Sequence, residues 1–195
     1  ESMWKFTDIK ASKKYVSIVD DLSKFPGAKW FVGAKLNFAE NLLRHRDNHL
    51  AFIFRSENQK TQTLTYAELY DQTVCLAQAL RQLGVSHEDR IAAYMPNLVE
   101  TATAMLATTS IGATWCSCGI EFGSEAVLNR LSQVNPKVLF TVDGYPFKGK
   151  DYDLLPKVKE VVEGTPSIQK TIILPYTKEK PNIDHIPHSV RYADS

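Results

Sequence analysis

Residues 90–117, RIAAYMPNLVETATAMLATTSIGATWCS, decide the fold class. Arg90-Ile-Ala-Ala-Tyr-Met95 is a short apolar run that Pro96 halts, because proline has no amide to give a sheet ladder. Leu98 to Ile111 is long enough for a helix and ends at Gly112. Thr114 to Ser117 then returns to a strand. Strand, helix and strand in close order is the unit that builds a parallel sheet, since parallel neighbours need a crossover between them.

The same alternation runs outward from this unit. Upstream, Leu50-Ala-Phe-Ile-Phe54 has strand length and Gln59 to Gln62 is polar enough for a loop. Thr65-Tyr-Ala-Glu68 is a capping-box signature, in which hydroxyl and carboxylate each serve an amide that the first helical turn leaves unpaired. Leu69, Thr73, Leu76, Leu80 and Leu83 recur at helical spacing until Gly84, where a left-handed residue is wanted. Downstream, Ser124 is placed to cap a helix whose Val127, Leu128, Leu131 and Val134 share a face. Lys137 to Val142 reads as a buried strand, followed by a loop, a helix near Tyr152 to Glu163 and a last strand at Lys170 to Leu174. Beyond Pro175 the sequence reads as connector. The expected fold is α/β, a parallel sheet with helices on both faces. Ligands of such sheets bind outside the carboxyl ends of the strands. That rim gathers Met95-Pro96-Asn97, Cys118 to Gly123 and Asp143 to Lys150.

Composition narrows the partners. Hydrophobic residues make up 44% of the 195 and charged residues 23%, as in globular proteins. Lys plus Arg total 23 against 22 for Asp plus Glu, so a net charge of +1 gives no field to gather nucleic acid or an anionic membrane. No apolar run approaches the roughly 20 residues that a membrane helix needs. Three cysteines (Cys75, Cys116, Cys118) without secretory features predict reduced packing thiols in the cytoplasm. Cys116-x-Cys118 lacks the further ligands of a tetrahedral zinc site, and His45 and His49 lack an acidic third ligand, so no metal site is expected.

Several patterns suggest phosphate chemistry and most of them fail. Gly144-Tyr-Pro-Phe-Lys-Gly149-Lys150-Asp151 spells the start of a phosphate loop, yet Asp151 stands where Ser or Thr would hold magnesium. What survives is a basic turn: Lys148 and Lys150 flank the flexible Gly149, placed at the start of the expected helix, where free amides attract anions. The Thr108 to Thr114 run ends a helix rather than following a strand, so it reads as small-residue packing. The chain has no Gly-x-Gly-x-x-Gly dinucleotide fingerprint and no Gly-x-Ser-x-Gly hydrolase elbow. No catalytic residue is legible.

Longer motifs carry a resemblance. Trp30-Phe-Val-Gly-Ala-Lys-Leu-Asn-Phe-Ala-Glu-Asn-Leu-Leu43 looks like the opening motif of acetyl-CoA synthetase relatives in the adenylate-forming superfamily. Leu64 to Leu69, Asp89 to Asn97 and Met105 to Ala113 resemble the superfamily's next segments, in the same order. Val127 to Phe140, then Asp143-Gly-Tyr and Gly149-Lys150, look most like the acetoacetate–CoA ligase branch. Acetyl- and propionyl-CoA synthetases typically carry Gly-Gly-Phe-Ser-Pro where this chain has Ile120-Glu-Phe-Gly-Ser124.

The resemblance implies an amino-terminal part of an ATP-dependent acyl-CoA synthetase. Residues 1–46 would form an opening segment, and 47–195 an incomplete α/β subdomain of the large AMP-binding domain. It implies ATP, Mg2+ and CoA as cofactors of the full-length enzyme, and acetoacetate or another short acyl acid as substrate. The carboxylate attacks the α-phosphorus of ATP to give an acyl-adenylate, and the CoA thiol then displaces AMP. Relatives bind the 3′-phosphate end of CoA with a basic turn whose paired arginines align with Phe147 and Lys150. Lys150 is therefore the first candidate for CoA contact, with Lys148 and Gly149 beside it. A neighbouring glycine turn aligns with Gly119, Ile120 and Glu121, and Glu121 is an unfavourable neighbour for phosphate. The family's Ser/Thr/Gly loop ending in Pro-Lys, its adenine segment, its hinge aspartate and its adenylation lysine have no match here. The chain alone is expected to be inactive, to make at most partial contact with CoA and to self-associate through surfaces left bare. Two other readings stay open: an acetyl- or propionyl-type synthetase fragment, and a standalone CoA-binding, nucleotide-binding or interaction module.

Overall fold

A computed structural model describes residues 1–57 and 61–194, and the chain falls into two compact units, Glu1–His45 and Arg46–Ser195. In the first unit, helix α1 (Ser2–Phe6) precedes an antiparallel pair of strands, β1 (Ser17–Val19) and β2 (Trp30–Val32), and helix α2 (Phe38–Leu42). The side chain of Asn37 caps α2 by accepting from the Glu40 amide at 3.0 Å. The rings of Trp4, Tyr15 and Phe31 cluster with centroids 4.8–5.3 Å apart.

The second unit opens with a ribbon rather than with the main sheet. Strand β3 (Leu50–Phe54) pairs antiparallel with β4 (Gln62–Thr65), so this apolar run does not join the parallel sheet. Of the polar loop expected at Gln59–Gln62, residues 59 and 60 lie outside the described residues, and Gln62 already belongs to β4. The capping box at the start of α3 (Tyr66–Gln82) forms as expected. The Glu68 amide donates to the Thr65 hydroxyl at 3.2 Å, and the Thr65 amide donates to the Glu68 carboxylate at 2.8 Å. Gly84 ends that run at φ 77°, a conformation open to glycine and costly for most other residues.

From there the chain alternates as β5 (Arg90–Tyr94), α4 (Val99–Ser110), β6 (Thr114–Cys118), α5 (Ser124–Val134) and β7 (Val138–Val142). Ser124 is the first residue of α5 rather than its cap; Gly123 holds the cap position, without a side-chain hydrogen bond. After β7 comes the largest departure from expectation. In place of a loop and a helix from Tyr152, the chain forms a hairpin of β8 (Gly144–Phe147) and β9 (Lys150–Asp153), and α6 (Leu155–Glu163) starts only afterwards. Cross-strand aromatic contacts account for it: Tyr145 stacks on Tyr152 at 5.5 Å and Phe147 leans on Tyr152 at 6.3 Å. Lys148 and Gly149 close the hairpin at φ 51° and 72°, the two left-handed positions of the tight turn that matches strand twist. Strand β10 (Lys170–Leu174) follows, and the expected connector yields one more strand, β11 (Ser189–Arg191), before a single 3-10 turn at Tyr192–Asp194.

The main sheet has the order β11-β10-β7-β5-β6, with every neighbouring pair parallel. The step from β5 to β6 moves one way across the sheet, and the steps from β6 to β7 and from β7 to β10 move the other way. Right-handed crossovers then put α4 on one face and α5 and α6 on the other. The packing agrees, with α3 against α4 and α5 against α6. β7 is buried over its whole length and β5 from Ile91 to Tyr94, which is why both read as continuous apolar runs. The chain order reverses at the β5–β7 pair, so the crevice for ligands lies at their carboxyl ends.

The opposite rim is held by charge. The Lys137 ammonium donates to Asp89 at 3.0 Å and to the Gly84 carbonyl at 2.7 Å, and the Ser86 amide donates to Asp89 at 2.8 Å. The Ser86 amide, joined by the Lys137 and Ser86 side chains, holds the Asp89 carboxyl below its ordinary range despite some burial. A lowered folded pKa gives stability that is present above the unfolded carboxylate range and lost as pH falls through the folded value. We expect Asp89→Asn to lower the urea midpoint at neutral pH, and the gap from wild type to close as pH drops below the usual aspartate range. A gap that stays constant down to low pH would show that the charge of Asp89 is not what holds this rim.

Candidate functional site

The carboxyl rim is organised around Tyr94, the last residue of β5. Its phenol is buried and donates to the Phe122 carbonyl at 2.6 Å, while its own carbonyl accepts from the Thr141 hydroxyl of β7 at 2.9 Å. Burial, and then the neighbouring Tyr145, Cys118 and Glu121, push the phenol pKa up to about 12. Tyr94 therefore stays a neutral donor and works as a pin. It links the ends of β6 and β7 to the turn that follows β6.

Gly119 lies in that turn, where the Phe122 amide closes on its carbonyl at 3.3 Å. The Glu121 carboxylate folds directly over Gly119, so that even a Cβ at this position would collide with both carboxylate oxygens. An approaching phosphate would meet that negative charge first. The cation nearby is Arg130 of α5, whose guanidinium lies 4.3 Å over the Phe122 ring and donates to the Ala126 carbonyl at 2.8 Å. Gly119 is thus presented to an acid of its own loop.

The other three sequence candidates come together at the tip of the hairpin. Lys148, Gly149 and Lys150 are all exposed, and the hairpin leaves the carboxyl end of β7, the same rim as the Cys118 turn. The expected helix amino terminus is absent here, because α6 begins five residues beyond Lys150, after Leu154. The free amides are supplied by the turn itself. Consecutive left-handed residues aim their N–H groups into one concavity, a nest suited to an anion. That concavity is filled by Glu57: the Lys148 amide donates to one carboxylate oxygen at 2.8 Å and the Gly149 amide to the other at 3.0 Å. Among the described residues neither Lys148 nor Lys150 pairs with a carboxylate, and the Lys148 ammonium sits 5.2 Å over the Phe147 ring.

Asp143, at the end of β7, is fully buried but not free for chemistry. Its carboxylate accepts from the amides of Tyr176, Thr177 and Lys178 at 2.5, 3.0 and 2.9 Å and from the Thr177 hydroxyl at 2.6 Å. It fastens the segment after β10 to the sheet. A cavity of about 390 Å3 lies beside the rim, lined by Phe52, Phe54, Leu98, Met105, Trp115 and smaller residues. Among the described residues no cation lines it, which makes it a poor receptor for a carboxylate or phosphate. Among the described residues no three His, Cys, Asp or Glu side chains gather as a metal site, and no helix is long and apolar enough to cross a membrane.

Sequence reasoning missed Glu57, Tyr94 and Arg130. Glu57 meets the hairpin across 91 positions of sequence, a contact no local pattern signals. Tyr94 reads as one more apolar strand residue until its hydroxyl is given a partner.

Comparison with known proteins bears on this arrangement. The sequence profile described as AMP-binding enzyme matches residues 38–192. The acetoacetyl-CoA synthetase of Mus musculus is 39% identical over 196 residues, covering 98% of this chain and 29% of that protein. The acetoacetyl-coenzyme A synthetase of Rhizobium meliloti (strain 1021) is 41% identical over 177 residues, covering 90% of this chain and 26% of that protein. The solved acetoacetyl-CoA synthetase from Streptomyces lividans superposes with a TM-score of 0.89 at 36% identity, over 99% of this chain and 30% of that one. The chain therefore spans about 29% of the length of the vertebrate relatives it matches. A profile that runs from α2 to the last turn, on a sheet of matching topology, places the chain in the AMP-binding enzyme family.

Proposed function

We propose that the chain is part of an acid–thiol ligase that joins acetoacetate to CoA at the expense of ATP, through an acyl-adenylate. One observation carries the reading: identity of 39% to an acetoacetyl-CoA synthetase runs across 98% of the chain, not over an isolated motif. Departure from the acetyl-type turn at Ile120 to Ser124 favours the acetoacetate branch over the acetyl and propionyl branches. In this reading residues 1–46 are an opening segment and 47–195 an incomplete subdomain. The ligase would act in the cytoplasm, a compartment that suits three thiols outside any disulfide.

The chain's own share of the work is scaffold and one edge of the CoA site. Lys148 and Lys150 fit a phosphate, being exposed, without a carboxylate partner among the described residues, and mounted on a hairpin of stacked aromatic rings. Gly119 does not fit, since Glu121 already covers it. ATP and Mg2+ find no recognisable receptor among the described residues, so no step of adenylate chemistry is assigned to this chain. CoA, when bound to the full enzyme, supplies the thiol that takes up the acyl group; the lysines here hold its phosphate-bearing end.

Three outcomes test the proposal. The pure chain with acetoacetate should give ATP–pyrophosphate exchange no faster than the buffer blank, and exchange above blank would place adenylation residues inside it. CoA binding by calorimetry should weaken about two- to fivefold in Lys150→Ala, the loss of one favourable charge at an exposed phosphate contact; unchanged binding would remove Lys150 from the site. The edge strands β6 and β11 have no further neighbour among the described residues, and open edges invite pairing. Light scattering should therefore report a concentration-dependent dimer, and a monomer at every concentration would end that part of the proposal.

A further inference from the structure

We infer that Glu57 is a resident competitor for the anion site at the hairpin tip, and that a phosphate group enters the Lys148–Gly149 nest by displacing its carboxylate. The inference rests on the reading above that this hairpin receives the phosphate-bearing end of CoA, and it adds the control of that site. Glu57 is exposed, and among the described residues its two oxygens are held by two backbone amides and by no cation. The two ammonium groups that flank the nest stay unneutralised among the described residues. A carboxylate brings one negative charge to a tip that carries two positive ones. A phosphate monoester brings about −1.5 to −2 and three acceptor oxygens, enough to use both amides and reach either lysine. Asp151 follows Lys150 along β9, and strand alternation sends it to the other face of the ribbon.

The amide hydrogen bonds exchange evenly, so what makes the exchange favourable is what the phosphate adds beyond them. Every hydrogen bond that the phosphate makes to the two amides replaces one that Glu57 gives up, so the nest adds little net affinity while Glu57 is present. The surplus comes from the second charge and the lysines. Glu57 thus lowers affinity for any single-charged anion, which cannot repay the displacement, and tunes the tip toward doubly charged phosphate. A plain structural clasp would show none of this selectivity.

The test follows the Lys148 and Gly149 amide resonances of the 15N-labelled chain during titration with inorganic phosphate. In Glu57→Gln, and in Glu57→Ala, which removes the competing acceptor altogether, both amides should shift saturably at about tenfold lower phosphate than in wild type. The amides of Ala92 and Ala93 in β5 report that the fold is intact. Equal titration of wild type and both variants, or no response of the two amides in any of them, would overturn the inference. A parallel titration with CoA separates it from the reading it rests on. Tighter phosphate with unchanged CoA supports the competitor role and removes CoA as the ligand. CoA binding that weakens in Lys150→Ala but ignores both Glu57 substitutions keeps the CoA site and sinks the competitor.

Discussion

Burial of β5 and β7 on both faces is the constraint from which the rest of the architecture follows. A strand covered on one side can alternate apolar with polar residues, but these two cannot, and Ile91 to Tyr94 and Val138 to Val142 are accordingly closed to solvent. Covering both sides requires helices above and below, and helices above and below require parallel strands joined by crossovers. Each large apolar side chain so buried contributes roughly 1.5–3 kcal/mol, and the sheet carries many of them. The hydrogen bonds of the exposed rim contribute far less each. The layers are therefore decided by the core, and the rim is left free to vary with function. The one polar side chain inside β7, Thr141, is tolerated because its hydroxyl donates a hydrogen bond to the Tyr94 carbonyl.

That division explains what the sequence revealed. The crossovers were legible because apolar runs, the Thr65–Glu68 capping box and Gly84 are local signals, each tied to a neighbour a few residues away. The hairpin was not, because its cause is the stacking of Tyr145 on Tyr152, and Tyr-Pro-Phe reads equally well as loop. β11 was missed because it is three residues long and gains its place from β10 rather than from its own pattern. The basic turn was found for a reason the structure replaces. Lys148, Gly149 and Lys150 do sit around free amides, but those amides belong to a tight turn and not to a helix end.

Electrostatics at the carboxyl rim follow one theme in three places. Glu121 covers Gly119, Asp143 fastens residues 176–178, and Glu57 fills the hairpin nest. At Asp143 and Glu57 backbone amides that an incoming anion could use are met by an acid of the chain, and at Gly119 the acid occupies the space above the glycine. The three differ in how firmly that acid is held. Asp143 is fully buried with four donors and will not leave, whereas Glu57 is exposed with two. Firm carboxylates shape this rim, and loosely held ones set what it will accept.

The three thiols sit in unlike surroundings. Burial raises the thiol pKa of both Cys116 and Cys118 on β6, while Cys75 on α3 faces solvent. A maleimide dye would consequently attach first at Cys75, ahead of the other two. The protein carries a ready-made handle for fluorescence, placed on a helix well removed in sequence from the hairpin whose ligand remains to be caught.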